Sequence, residues 1–176
     1  GCGSPFSNDL FEVDAAYRAA LPAPVVLPVG LVRAGSPRQG AEWVEGGRYW
    51  MTVNTIAMLN GTTDRILQVI DSIQSRPISQ RGENSRVWGP YARASGVYVR
   101  LTVERRDVRE EGELLERYSY WLDVMESPEG GGEAAIWGHW DPAFSLTQGV
   151  GALGIDFEIW GQLSGSDEGT GTLSIG

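Results

Sequence analysis

The residue types that most often carry chemistry are scarce in this chain of 176 residues. Cys2 is the only cysteine and His139 is the only histidine. One cysteine cannot form a disulfide within the chain, and one histidine cannot build a typical multi-histidine metal site. His139 also lacks an evident nucleophile, because the sequence contains no G-x-S-x-G turn that would present a serine. We therefore predict no catalytic residue, no metal site and an ordinary packing or surface position for His139.

Asp156 and Glu158 are the best candidates for general acid–base chemistry. They alternate along a predicted strand, so their side chains are expected on its polar face, about 6.6 Å apart. Two carboxylates in different surroundings can serve as acid and base. A solvated strand face has the same pattern, with Arg100 available for pairing, so a carboxylate-dependent hydrolase is kept only as an alternative. The Asp167-Glu168 pair lacks the spaced ligands of a calcium loop and predicts a charged turn.

The segment Gly149–Gly154 matches the dinucleotide-binding pattern G-x-G-x-x-G. That function requires a helix directly after the glycines, so that the pyrophosphate meets the helix N-terminus. A predicted strand follows here, which favours a turn and a bend in that strand. The sequence also contains no lysine, which excludes a Walker A loop and Schiff-base chemistry. No cofactor is predicted.

The charge balance excludes the nucleic-acid-binding class. The chain has 14 basic and 23 acidic residues and a net charge of −9. The densest basic run, Arg105–Arg109, is followed at once by glutamates and predicts a solvated loop of mixed sign. No basic stripe offsets the acidic surface, so we expect no nucleic-acid partner.

Seven tryptophans are the strongest indication of a binding surface. Trp121, Trp137 and Trp160 are predicted on the side of a sheet opposite its aliphatic stripe, and Tyr98 shares the alternating pattern. Exposed aromatic residues are enriched at binding hot spots, so we predict these four as ligand- or partner-binding residues. The other interpretation is that helices or a Pro-rich connection cover them. An exposed patch would suit a protein or a glycan, whereas an interior cavity would suit a small apolar ligand.

Helical signals are confined to the N-terminal part of the chain. Asn8 or Asp9 can cap a helix that runs to about Leu21 and ends before prolines. An extended Pro- and Gly-rich connection is predicted over residues 22–47, and a second helical region from 48 to 59. Further apolar residues then follow at the spacing of an amphipathic helix; they are Ile66, Val69, Ile70 and Ile73.

Alternating apolar and polar residues dominate after Gly82 and predict strands. The clearest runs are 97–104, 118–124 and 153–160, with weaker ones at 86–91, 134–140 and 170–175. No helical pattern separates them, which favours an antiparallel meander. We predict an α+β fold, with N-terminal helices followed by about six strands that are strongly curved or form a partial barrel. Residues 1–8 are predicted to be a tether and 9–176 a single domain, helical and Pro/Gly-rich over 9–82 and a β-meander over 83–176.

Gly1-Cys2, followed by the small residues Gly3, Ser4 and Pro5, resembles the mature N-terminus of a bacterial lipoprotein. The resemblance covers these few residues only. It implies a lipid on Cys2 and a membrane as partner, since several acyl chains give the stable anchoring that one chain does not. Gly3, where an aspartate would favour the inner membrane, implies the outer membrane, facing the periplasm or the cell surface.

Gly138-His139-Trp140 matches the G-x-W motif of lipocalins, and the predicted curved sheet is similar to theirs in architecture. In lipocalins the motif lies on the first strand, whereas here it falls in the middle of the meander. The leading prediction is a lipid-anchored envelope lipoprotein with a non-catalytic binding or structural domain. A lipocalin-like carrier of a small apolar ligand is one alternative and the hydrolase is the other.

Overall fold

The computed structural model describes residues 6–22, 61, 64–110, 112–145, 148–164 and 172–175. The chain separates into two compact units, one of Gly1–Pro22 with Ser72–Gly176 and the other of Ala23–Asp71. All described strands lie in the first unit. The prediction of one domain over residues 9–176 stays a prediction. Several predictions concern residues outside the described ones, namely Cys2, the connection over 23–47, the helical region at 48–59 and the Asp167-Glu168 turn.

Two helices occupy the N-terminal part of the described chain. Helix α1 is Phe6–Ala19, so it begins before the predicted caps, and residues 6–8 of the predicted tether are helical. It ends close to Pro22, as expected from the helix-breaking effect of that residue. Helix α2 covers residues 64–74, and three residues of the predicted amphipathic pattern are buried there, namely Ile66, Ile70 and Ile73.

The predicted antiparallel meander is confirmed. Each strand pairs with the next one along the chain, in the order β1-β2-β3-β4-β5-β6-β7. In the described part of the chain, six strands have four residues or more, and a two-residue strand extends one edge. The strands are β1 (Gln80–Arg81), β2 (Ser85–Ala92), β3 (Tyr98–Glu110), β4 (Glu113–Met125), β5 (Glu133–Ser145), β6 (Gln148–Asp156) and β7 (Thr172–Ile175).

Register shifts bend this sheet at three places. One lies between β2 and β3, one between β4 and β5 at Leu122/Asp123, and one between β5 and β6. Such bulges increase the local twist and bend the strand that carries them. Among the described strands, β1 and β7 each pair on one side only, so the curved sheet is open and not a closed barrel.

Strands β3 and β4 form a long hairpin in which both strands have 13 residues. Their pairing continues to Glu110 opposite Glu113. The expected loop at Arg105–Arg109 is therefore wrong, because this run belongs to β3. Val108 lies opposite Leu115 in the ladder, so an apolar cross-strand pair supports the charged segment.

A third helix corrects the prediction for Leu153–Trp160. The predicted strand is right only as far as Asp156, where β6 ends and helix α3 (Phe157–Ser164) begins. The expectation that no helix separates the strands is therefore wrong. Trp160 and Leu163 are buried three residues apart, on one side of α3, and the helix packs against β4, β5 and β6.

The two faces of the sheet differ in composition because side chains alternate along each strand. One face, the core face, is mainly aliphatic and aromatic, and most of its side chains are buried. The opposite face, the tryptophan face, combines aromatic and polar side chains, Trp121, Trp137 and His139 among them. The core face includes Val99, Leu101, Val103, Tyr118, Tyr120, Leu122 and Ile136.

Helix α1 packs on the core face. The Tyr17 ring meets the Tyr118 ring edge-on, with 5.5 Å between their centroids. Asp14 of the same helix accepts hydrogen bonds from two arginines of the sheet. Nε of Arg86 is 2.6 Å from its Oδ1 and Nη2 of Arg81 is 2.9 Å from its Oδ2. The tryptophan face therefore lies on the side of the sheet away from α1.

Candidate ligand-binding face

A row of four residues crosses the middle of the tryptophan face. Thr102 on β3 lies opposite Trp121 on β4, Trp121 lies opposite Trp137 on β5, and Trp137 lies opposite Gly154 on β6. Directly opposite residues of an antiparallel pair have Cβ atoms about 4.5–5.5 Å apart. The two indoles are consequently neighbours, although they are 16 positions apart along the chain.

Trp137 is the most exposed tryptophan of this row, with 37% of its surface accessible. Its indole lies over the backbone of Gly154, since a Cβ atom at that glycine would be 2.4 Å from the indole Cε2. Any side chain at position 154 would push the ring outward. Trp121 is half-buried, and Thr102 beside it is 8% exposed. The row thus presents aromatic surface to solvent on a closely packed base.

An ion pair borders the tryptophan row on one side. Arg100 lies opposite Asp123 in the β3–β4 ladder. Its Nε and Nη2 atoms donate to Asp123 Oδ2 at 3.2 and 2.8 Å. The Asp123 side chain is 8% exposed and Arg100 is 36% exposed. The carboxylate is therefore held inside the surface, while part of the guanidinium faces solvent.

A second charged cluster borders the row on the other side. Arg117 donates from Nε and Nη2 to the two oxygens of Asp141, at 2.8 and 2.6 Å, and also reaches Glu110 at 2.8 Å. The hydrogen bonds that Arg117 donates to Asp141 raise the pKa of Arg117 above its ordinary value. The Arg117 guanidinium is thus charged at any physiological pH. Nε2 of His139 lies 4.0 Å from Asp141 Oδ2.

A second row of residues, which is mainly polar, lies between the tryptophan row and the Arg117 cluster. Ser119 lies opposite Glu104 on β3 and opposite His139 on β5. Hydroxyl, carboxylate and imidazole groups offer both donors and acceptors. The indoles are thus flanked by hydrogen-bonding side chains, an arrangement that suits binding of a flat ligand with polar edges.

The structure brings together two of the four predicted binding residues. Trp121 and Trp137 are adjacent on the tryptophan face. Tyr98 is half-buried near one end of the same face, beyond the Arg100–Asp123 pair. Trp160 does not belong to this surface, because it lies in α3 and is 1% exposed.

The carboxylate pair proposed for acid–base chemistry does not share a strand, because Asp156 is the last residue of β6 and Glu158 lies in α3. Oδ1 of Asp156 accepts hydrogen bonds from the backbone N–H groups of Glu158 at 2.9 Å and Ile159 at 3.1 Å. These are donors that the first turn of a helix leaves unpaired, and Asp156 is the N-cap of α3. Glu158 is an exposed residue of that first turn. The strand geometry on which the hydrolase alternative depended is therefore absent from this segment.

Two further sequence motifs lie within strands of the sheet. The segment Gly149–Gly154 lies within β6, where its glycines allow close approach to β5. The dinucleotide pattern needs a helix directly after the last glycine, but two more strand residues follow it here. Gly138-His139-Trp140 lies on β5, with its middle residue alone on the tryptophan face. Among the described residues, no group of three or more His, Cys, Asp or Glu side chains is placed to hold a metal ion.

Sequence reasoning missed Arg117, Asp123 and Asp141. It named Arg100 as a partner for Asp156 and Glu158, whereas Arg100 pairs with Asp123. Asp141 directly follows Trp140 but Asp123 follows Leu122, so the two share no local signal, and the partner of each depends on strand register. Comparison with known proteins gives no further guidance, since the chain matches no protein-family model, no curated protein and no solved structure. In the described part of the chain, no helix combines the length and the apolar character needed to span a membrane.

Proposed function

We propose that this chain is a lipid-anchored lipoprotein of the bacterial cell envelope, placed in the outer membrane, whose α+β domain binds a ligand without catalysis. The anchor would be a lipid on Cys2, four positions before helix α1 begins at Phe6. The binding surface would be the tryptophan face, on the side of the sheet away from α1.

One observation carries the binding part of this proposal. Trp121 and Trp137 lie side by side on a sheet face, next to the polar residues Ser119 and His139 and between two arginine–aspartate pairs. Tryptophan is among the residues most enriched at binding hot spots, because it contributes a large contact area with few rotatable bonds. Leaving Trp137 37% exposed also leaves apolar surface in water that a ligand would cover.

The anchor is tested by Cys2→Ala in the protein expressed with its native leader in a bacterial host. We expect the natural sequence to partition into the detergent phase of a two-phase extraction and the variant to remain in the aqueous phase. Ser4→Ala is the matched control and should behave as the natural sequence does. Equal partitioning of Cys2→Ala and the natural sequence would contradict a lipid at this residue.

A further inference from the structure

We propose that the tryptophan face binds a neutral oligosaccharide of pyranose rings, an inference that rests on the proposed binding function and specifies its ligand. Three features of the face support it, namely the size of its aromatic surface, its charge and the polar groups at its border. Each feature favours a different property of the ligand.

The size of the aromatic surface favours a small ligand. A fully buried tryptophan covers roughly 150–250 Å². With Trp137 37% exposed and Trp121 less so, the pair offers under about 200 Å² of accessible aromatic surface. A standard protein–protein interface buries about 800 Å² on each partner. The two indoles alone are therefore comparable in area to one or two sugar rings, whereas a protein partner would have to cover at least about four times this area.

The charge of the face favours a neutral ligand. Asp123 and Asp141 have side chains that are each 8% exposed and are already bonded to Arg100 and Arg117. A cationic ligand would have to displace these arginines from buried carboxylates. An anionic ligand would meet an overall charge of −9, which opposes its approach. Glu104 is likewise paired, with Arg106.

The polar border favours a ligand with hydroxyl groups. Pyranose rings have a face of C–H groups, which carry partial positive charge and stack on the negative face of an aromatic ring. Their rims carry hydroxyls that require donors and acceptors beside the stacking surface. Arg100 on one side and Ser119 and His139 on the other provide these groups next to the tryptophan row. A purely apolar ligand that covered Ser119 and His139 would leave their polar groups unpaired.

The test is a titration of the full chain, made soluble by Cys2→Ser, with cellohexaose and with chitohexaose as neutral probes. Calorimetry and tryptophan fluorescence report binding, and hexagalacturonate is the anionic comparison. We expect at least one neutral probe to bind and the anionic one to bind more weakly. Trp137→Ala should weaken binding of the neutral probe about tenfold or more, as loss of a tryptophan hot spot does.

Two further variants serve as comparisons for Trp137→Ala. Trp137→Phe retains an aromatic ring and should lose less affinity than Trp137→Ala, with circular dichroism showing that both remain folded. Leu114→Ala removes a side chain that is 66% exposed in the β3–β4 hairpin and should leave affinity unchanged. Absence of binding of both neutral probes at several millimolar, or binding that Trp137→Ala does not weaken, would overturn the proposal.

The failure of this proposal is distinguishable from failure of the proposed function. If the probes do not bind but sedimentation shows a dimer that Trp137→Ala dissociates, the oligosaccharide is excluded and the face still serves binding to a second copy. If the probes do not bind, no such dimer forms and Cys2→Ala still partitions into detergent, then the oligosaccharide ligand and the lipid anchor are both wrong.

Discussion

Asp156 shows how one side chain decides the local path of the backbone. Its carboxylate accepts two backbone N–H groups at the point where β6 ends and α3 begins. The first turn of any helix leaves several such donors unpaired. By satisfying two of them, Asp156 allows the chain to leave the sheet and to bury Trp160.

We expect Asp156→Ala to lower the free energy of unfolding by about 1 kcal/mol, the usual cost of losing an N-cap. Asp156→Asn keeps an accepting oxygen and should lose much less. Urea unfolding followed by tryptophan fluorescence measures both. Glu158→Ala is the control, because Glu158 is exposed and its backbone N–H, not its side chain, makes the capping bond. A stability of Asp156→Ala equal to that of the natural sequence would contradict the cap.

At the scale of secondary-structure elements, the attachment of α1 to the sheet is partly electrostatic. Partial burial by itself would raise the pKa of the Asp14 carboxyl, but the hydrogen bonds and charges of Arg81 and Arg86 outweigh it and hold that pKa below its ordinary value. The folded state thus binds the ionised form of Asp14 more strongly than the unfolded state does. This contribution to stability is present above the ordinary carboxyl pKa and is lost as the pH falls through the lowered one.

Asp14→Asn should therefore be less stable than the natural sequence at pH 7, and the difference should shrink in acid, below a pH of about 4. Urea unfolding at both pH values measures the difference. Asp107→Asn, at an exposed position of β3, is the control for simple loss of an acidic residue. A difference between Asp14→Asn and the natural sequence that is the same at both pH values would contradict the electrostatic attachment.

The strands of the meander were predictable because one of their faces is buried. Val99, Leu101 and Val103 are all fully buried at the alternate positions that the sequence marks as apolar. The strand predicted from Leu153 to Trp160 was partly wrong because the whole run alternates. Its residues from Phe157 onward fit helical spacing equally well. In that run the capping side chain, and not the apolar pattern, decides between the two structures.

The candidate site was predictable only in part. Trp121 and Trp137 fall at outward positions of their strands, which alternation alone can assign. That they lie opposite each other depends on the length of the β4–β5 turn and on the register shift beside Leu122, and no local pattern encodes either. The same holds for the pairing of Arg117 with Asp141, which joins residues 24 positions apart.

At the scale of the whole molecule, buried tyrosines make the fold sensitive to alkali. Burial raises the pKa of Tyr17, of Tyr118 to about 12, and of Tyr120 further still. These groups are protonated in the folded state at a pH where they ionise in the unfolded state. Their contribution to stability is full below the ordinary tyrosine pKa of about 10 and is lost as the pH rises towards the folded values.

We expect the free energy of unfolding to fall steeply above pH of about 10. Tyr118→Phe should make this fall less steep, because it removes one group that ionises on unfolding. Urea unfolding between neutral and alkaline pH measures the slope, and absorbance of tyrosinate near 295 nm follows ionisation directly. Identical slopes for Tyr118→Phe and the natural sequence would contradict a raised pKa at Tyr118.

The order of the strands has a consequence for how the protein is assembled. Because every strand pairs with its neighbour in the chain, each addition to the sheet closes only a short loop, which favours rapid folding. Helix α1 is different, since Asp14 meets Arg81 across 67 positions. A chain that emerges N-terminus first would expose α1 long before its docking surface exists, and could then extend the sheet one strand at a time as synthesis proceeds.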